Sequence, residues 1–202
     1  MIAYNTLYQS KESNHMIVIL AADIFGIKDY LYQFAEELSQ AGFKPLIVSP
    51  YSINTPPFYH ETEAYQHFCS VTSVEKYTAK LADIVASQTD NVIIVGFSVG
   101  AAASYVLATS TPVNKVIAFY GSQIRHYSHL APLCELLAIL PESEQHFCIS
   151  SLHSSLTRHH NVTCMPTPYQ HGFMNPHSSA YQVTAAHNWQ SKVITLLHTP
   201  TP

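Results

Sequence analysis

Two residues carry the chemistry that this sequence suggests most clearly. Ser98 lies in Gly96-Phe97-Ser98-Val99-Gly100, between the apolar run Asn91–Val95 (NVIIV) and the alanine-rich stretch Val99–Thr109. A hydroxyl nucleophile presented on a sharp strand-to-helix corner needs small neighbours two positions before and two after it. Gly96 and Gly100 meet that need, and Ala101 and Ala102 let the helix approach closely. Such a corner sets Ser98 at the carboxyl end of a strand. The Val99 N–H, at the helix start, then points towards a developing oxyanion. The competing reading is a tight turn whose serine only caps the helix.

The second residue is His171, in Tyr169-Gln170-His171-Gly172-Phe173. A base working on a serine held this way is expected late in the chain, in a loop after the last strand, with the acid between nucleophile and histidine. His171 is in that place. There are 13 histidines, so a surface loop histidine is the alternative reading, and the serine corner is what singles this one out.

The elements that must hold these residues alternate in type. Met16–Ala22, Pro45–Ser49, Asn91–Val95, Lys115–Phe119 and Gln145–Ile149 read as short buried strands, and Val162–Met165 begins a possible sixth. Lys28–Gln40, Thr72–Ser87, Val99–Thr109 and Tyr181–His198 have helical spacing. Residues 122–143 read as loop and helix, residues 51–70 as an irregular lid or pocket loop, and the first eight residues as a possible edge strand. Strand alternating with helix predicts an α/β fold, a mostly parallel, doubly wound sheet in one domain spanning residues 1–202.

Composition narrows the partners. The chain has 202 residues, 47% hydrophobic and 11% charged, with 9 Lys+Arg against 13 Asp+Glu and a net charge of −4. There is no basic excess for nucleic acid. The run Met16–Ala22 is far short of the ~20 residues of a membrane span, and its position and flanks do not suit a signal peptide. The four cysteines, Cys69, Cys134, Cys148 and Cys164, form no C-x-x-C pair. A soluble cytoplasmic protein is expected, with no membrane partner. His126/His129 and His153/His159/His160 lack the spacing of a metal site, so neither metal nor cofactor is expected.

Four segments together resemble the dienelactone hydrolase family of α/β-hydrolases. Asp23-Ile24-Phe25-Gly26 is similar to an acidic-residue-then-IFG element after the family's early strand. GFSVGA resembles its nucleophile elbow, and Phe119-Tyr120-Gly121 its Y-Y-G. The stretch HGFMNPHSSAYQVTAAHNW resembles its terminal segment. The resemblance runs from about residue 16 to the C-terminus. It implies an α/β-hydrolase fold with Ser98 as nucleophile, where the namesake enzymes have Cys, and His171 as general base. It gives Ile24 and Val99 the oxyanion-hole N–H groups. Asp23 takes the place of an acidic residue beside the resting nucleophile, with local capping after the strand as the alternative.

The sequence departs from the family at the acid. The family's segment after the fifth strand reads like F-G-x-x-D, and Ser151 falls where the aspartate should be. Between Ser98 and His171 the carboxylates are Glu135, Glu142 and Glu144. Glu135 falls in the expected helix, and Glu142 and Glu144 precede the expected fifth strand, at the wrong end of the sheet. The expectation is therefore a Ser98–His171 pair oriented by Ser151, a backbone carbonyl or water; a separate alternative is that Asp23 replaces the acid. Losing a triad acid costs on the order of 10⁴ in turnover, while ~10³–10⁴ over water remains.

The expected activity is hydrolysis of a small carboxylic ester or lactone. The alternative is a weak or inactive hydrolase fold that binds a small molecule or a protein partner. Arg125 and Arg158 do not fall on the family's lactone-holding positions, so dienelactone itself is not expected. Tyr51, Phe58, Tyr59, Tyr65 and Phe68 would suit an apolar acyl or ring group, or simply pack a shortened loop. No oligomeric state is implied.

Overall fold

The computed structural model describes residues 16–52, 58 and 60–198. Among the described residues, six strands form one sheet: β1 (Ile17–Ala21), β2 (Lys44–Val48), β3 (Val92–Phe97), β4 (Lys115–Phe119), β5 (Glu135–Leu140) and β6 (Val162–Pro166). Their order is β2-β1-β3-β4-β5-β6, and every neighbouring pair is parallel. The helices are α1 (Asp29–Gln40), α2 (Glu61–Val71), α3 (Val74–Ala86), α4 (Val99–Ala108), α5 (Ile149–Leu156) and α6 (Val183–His198).

Burial follows the position of each strand. β1, β3 and β4 are buried along their whole length, and their sequences are near-continuous Val, Ile, Leu and Ala. That is the pattern of parallel strands covered on both faces. One core layer unites α2, α3 and α4 with alternate strand residues such as Ile19, Ile94 and Val116. The opposite layer unites α1 and α6 with Leu20, Val95 and Ile117. The edge strands β2 and β6 are only partly buried, and each contains a proline, Pro45 and Pro166. Proline is tolerated at an edge because no ladder partner is lost there.

The expected strands of the first half, the fourth strand and the closing helix appear within a few residues of their predicted limits. Three expectations are corrected. Gln145–Ile149 is not a strand: it is loop, and α5 begins at Ile149. The fifth strand is Glu135–Leu140, inside the stretch read as loop and helix. It pairs with β4 from Lys115↔Glu135 to Phe119↔Ile139. Its sequence, ELLAIL, is built of good helix formers, and a short apolar run does not declare its own period. Burial between β4 and β6 decides it as strand. Residues 61–71, expected to be irregular, form α2. The possible edge strand in the first eight residues lies outside the described residues.

Candidate active site

All the groups that matter gather at the carboxyl ends of the strands, where parallel sheets offer a crevice. Ser98 follows β3 directly and has φ 53° and ψ −112°. A side-chain-bearing residue with positive φ is sparsely populated and costs roughly 1–3 kcal/mol. The glycines around it are obligatory. A Cβ on Gly100 would collide with the backbone carbonyls of Ala21 and Ala22, and one on Gly96 would lie 2.6 Å from the Gly100 carbonyl. The elbow is thus held by close backbone contact between β1, β3 and α4. Ser98 N–H donates to the Phe119 carbonyl at 3.0 Å, which anchors it to β4 as well. The Ser98 side chain makes no cap bond to α4, so the alternative capping role does not apply.

His171 Nε2 lies 2.9 Å from Ser98 Oγ. Its ring packs on Tyr120, with centroids 5.0 Å apart. Tyr120 itself has φ 39°, a second strained position at the end of a strand. On the other side of the ring, Nδ1 lies 2.7 Å from Glu144 Oε1. The Nδ1–H donates to that carboxylate, leaving Nε2 as the acceptor of the serine proton.

Glu144 replaces Ser151 as the group that orients His171. The correction follows from the moved strand. Because β5 ends at Leu140, Glu144 comes after it, at the same end of the sheet as Ser98. Ser151 lies on the exposed first turn of α5, its N–H bonded to the Cys148 carbonyl at 3.1 Å. Glu135 starts β5 at the opposite end and pairs with Lys115 at 3.3 Å.

Sequence reasoning also missed Ser122. It begins a 3₁₀ turn, Ser122–His126, directly after Gly121. Its hydroxyl donates to Glu144 Oε1 and lies 3.0 Å from His171 Nδ1. Arg125 Nη1 donates to the Ser122 carbonyl at 2.8 Å, and its guanidinium lies over the Phe147 ring, 4.9 Å from the centroid. The signal that could have pointed to Ser122 is its place just after the Y-G of the fourth strand.

The electrostatics agree with an ionised acid. Burial pushes the Glu144 carboxyl up, but the His171 and Ser122 hydrogen bonds and the His171 and Arg125 charges outweigh it. The net value is lowered. The loops that carry acid and base are laced together: Glu142 N–H donates to the Tyr169 carbonyl at 2.8 Å, and Gln170 Nε2 donates to Glu142 Oε2 at 3.0 Å. A cleft of about 480 Å³, lined by Glu144, Phe147, Cys148 and His153 among others, opens beside the acid.

The hydrogen bonds of the Asp23 carboxylate go to groups other than the His171 ring. Its carboxylate is buried and accepts from Phe25 N–H at 2.9 Å, Asn175 Nδ2 at 2.6 Å and Tyr30 OH at 3.4 Å. Ile24 lies in the loop after β1 and Val99 begins α4, and the two elements approach closely where Ala21 and Ala22 face Gly100. Of the aromatics after β2, Tyr51, Phe58 and Phe68 are core residues packed on one another, Tyr65 is exposed, and Tyr59 lies outside the described residues. Among the described residues, no three His, Cys, Asp or Glu side chains gather to hold a metal ion, and no helix is long and apolar enough to cross a membrane.

Chemically, the arrangement can draw a proton from a serine hydroxyl and stabilise the resulting imidazolium with a carboxylate. The chain is similar to known proteins in sequence and in fold. The model of the dienelactone hydrolase family matches residues 4–200. A Bacillus subtilis (strain 168) relative, the uncharacterised protein YczH, is 25% identical over 168 residues, covering 80% of this chain and 82% of its own. A Klebsiella pneumoniae structure provisionally classed as a dienelactone hydrolase superposes with a TM-score of 0.70 at 15% identity, covering 92% of this chain and 87% of its own. A dienelactone hydrolase-like promiscuous phosphotriesterase from metagenomic libraries gives 0.67 at 16%, covering 90% and 84%. The dienelactone hydrolase of Anabaena variabilis gives 0.61 at 17%, covering 92% and 85%.

Proposed function

The chain belongs to the dienelactone hydrolase family, and from that membership and its site we propose that it is a serine hydrolase of small carboxylic esters or lactones. One observation carries the reading: a continuous hydrogen-bonded relay from Ser98 Oγ through His171 to Glu144. His171 Nε2 takes the Ser98 proton as Oγ attacks the substrate carbonyl. The N–H groups of Val99 and Ile24 receive the oxyanion. The tetrahedral intermediate collapses, the carbon–oxygen bond to the leaving group breaks, and His171 returns the proton to the departing alkoxide. Water, deprotonated by His171, then attacks the acyl-Ser98 ester. Collapse frees the acid and restores the serine. Glu144 holds the Nδ1–H tautomer throughout and balances the imidazolium.

A binding-only role draws its motive from a missing acid, and Glu144 removes that motive. The reading places the reaction in the cytoplasm, on a soluble small molecule, with no cofactor. It is tested by turnover of an activated ester and by fluorophosphonate labelling followed by intact mass, each with Ser98→Ala and His171→Ala alongside. A single adduct and a rate lost in both variants are expected. Equal rates in wild type and Ser98→Ala would overturn it. The activity in the metagenomic relative's description makes an activated phosphotriester a useful second probe.

A further inference from the structure

We propose that Asp23 is a positioning residue whose carboxylate locks the loop bearing Ile24 to the loop bearing His171, so that oxyanion donor and base keep a fixed spacing. The inference rests on the hydrolase reading above for its catalytic consequence, but the lock itself is a matter of geometry. Asp23 is 4% exposed and Asn175 fully buried. They are 152 residues apart in sequence, and Asn175 Nδ2 donates to Asp23 Oδ2 at 2.6 Å.

Each end of that bond is itself fastened to a functional loop. At the first end, Asp23 Oδ1 accepts the Phe25 N–H at 2.9 Å, and Tyr51 OH donates to the Ile24 carbonyl. The Ile24–Phe25 peptide is therefore gripped on both its polar groups. The Ile24 N–H belongs to the peptide just before it, whose carbonyl is that of Asp23. Gly26 closes the turn, with φ 72° and its N–H on the Asp23 carbonyl at 3.0 Å.

At the second end, Asn175 is the spine of the turn after His171. Its N–H donates to the Gly172 carbonyl at 2.8 Å and its carbonyl accepts from Ser178 N–H at 2.9 Å. Its side-chain Oδ1 accepts from His177 N–H at 2.8 Å. The Asn175 amide is thus engaged at both ends: its oxygen builds the histidine loop and its nitrogen reaches Asp23. A charged acceptor makes this bond stronger than an amide–amide bond, and burial removes the competition of water. Tyr30 OH, on α1, adds a third attachment to the same carboxylate at 3.4 Å.

The test is an exchange of the two side chains. Asp23→Asn alone sets two amide NH₂ groups against each other. Asn175→Asp alone sets two carboxylates together. The double variant Asp23→Asn/Asn175→Asp restores a donor facing an acceptor. In it the amide oxygen introduced at the first position can still accept from the Phe25 N–H, and the carboxylate introduced at the second can still accept from the His177 N–H. Two readouts are taken: kcat and KM on an activated ester, and backbone hydrogen exchange of residues 24–26 and 172–178. Each single variant should lose about 10- to 100-fold in kcat, with KM within about threefold, and should exchange faster in both loops. The double variant should recover to within about fivefold of wild type and regain protection in both loops. A double variant no faster than the slower single variant, or single variants that exchange faster only in the loop that carries the substitution, would overturn the proposal. If the wild type shows no Ser98-dependent turnover, the hydrolase reading has failed, and hydrogen exchange alone decides the lock.

Discussion

Glu144 follows β5, His171 follows the neighbouring strand β6, and Oε1 and Nδ1 meet at 2.7 Å. This contact makes Glu144 the residue whose loss should be felt most after Ser98 and His171. Glu144→Ala is expected to lower kcat by about 10²–10⁴, because His171 loses its tautomer lock and the partner of its positive charge. Ser151→Ala should leave kcat within about twofold, since that side chain sits on an exposed turn of α5. Steady-state kinetics on one activated ester checks both.

Ser122 should matter less than Glu144 and in the same direction. Its hydroxyl donates to the carboxylate that holds the histidine. Removing a hydrogen bond to a charged group costs about 1.5–3 kcal/mol, so Ser122→Ala should slow turnover by roughly 10- to 100-fold. The expected change lies in kcat, with KM little altered, because Ser122 touches the relay rather than the acyl group.

Acid should weaken the fold partly through Glu144. Its carboxyl titrates below the ordinary carboxylate range in the folded chain. A carboxyl lowered on folding contributes stability at pH above its unfolded value, and that contribution disappears as pH falls through the folded value. Glu144→Gln should therefore be less stable than wild type at neutral pH, with the gap closing in acid. Urea unfolding at a series of pH values measures this.

Asp23 should act with the opposite sign. Burial raises its carboxyl, against the Phe25 and Asn175 hydrogen bonds that lower it. A carboxyl raised on folding holds its proton more tightly in the native chain. Stability then declines as pH rises from the ordinary carboxylate range through the folded value. Asp23→Asn removes that slope. The stability of Asp23→Asn relative to wild type should climb with pH across this window and level off above it, measured by the same urea series.

Gly100 should tolerate no side chain. A Cβ there would lie 2.6 Å from the Ala22 carbonyl and closer still to that of Ala21. Both obstacles are backbone, at the end of a buried strand, so nothing can swing aside. Gly100→Ala is expected to lose soluble folded protein or at least several kcal/mol. Gly42→Ala meets no atom within 4 Å, although its φ is 91°. It should cost only about 1–2 kcal/mol, from the left-handed backbone alone.

Much of this architecture was legible in residue order because its signals are local. NVIIV followed by GFSVG specifies strand, elbow and helix at once, and each requirement falls within a few residues. Chain order points to His171, which the structure sets 2.9 Å from Ser98. It does not point to Glu144, because QHFCI alternates enough to pass for a strand, while ELLAIL is written in helix formers. Exchanging one for the other carried Glu144 to the wrong end of the sheet. Pairing with β4 on one side and β6 on the other settles that choice, and neither strand adjoins ELLAIL in sequence. Ser122 is marked only by its place after Tyr120-Gly121, and Asn175 by nothing local. Their partners lie 22 and 152 residues away, and nothing in a serine or an asparagine announces a distant carboxylate.

The relay also has a thermal consequence. Ser98 follows a central strand, while His171 follows β6, an edge of the described sheet with a half-exposed surface. Edges fray at lower free energies than sheet centres open. Heating should therefore detach His171 while β1, β3 and β4 are still fully paired. Turnover is expected to fade below the temperature at which the core melts, and to return on cooling so long as the centre of the sheet has held.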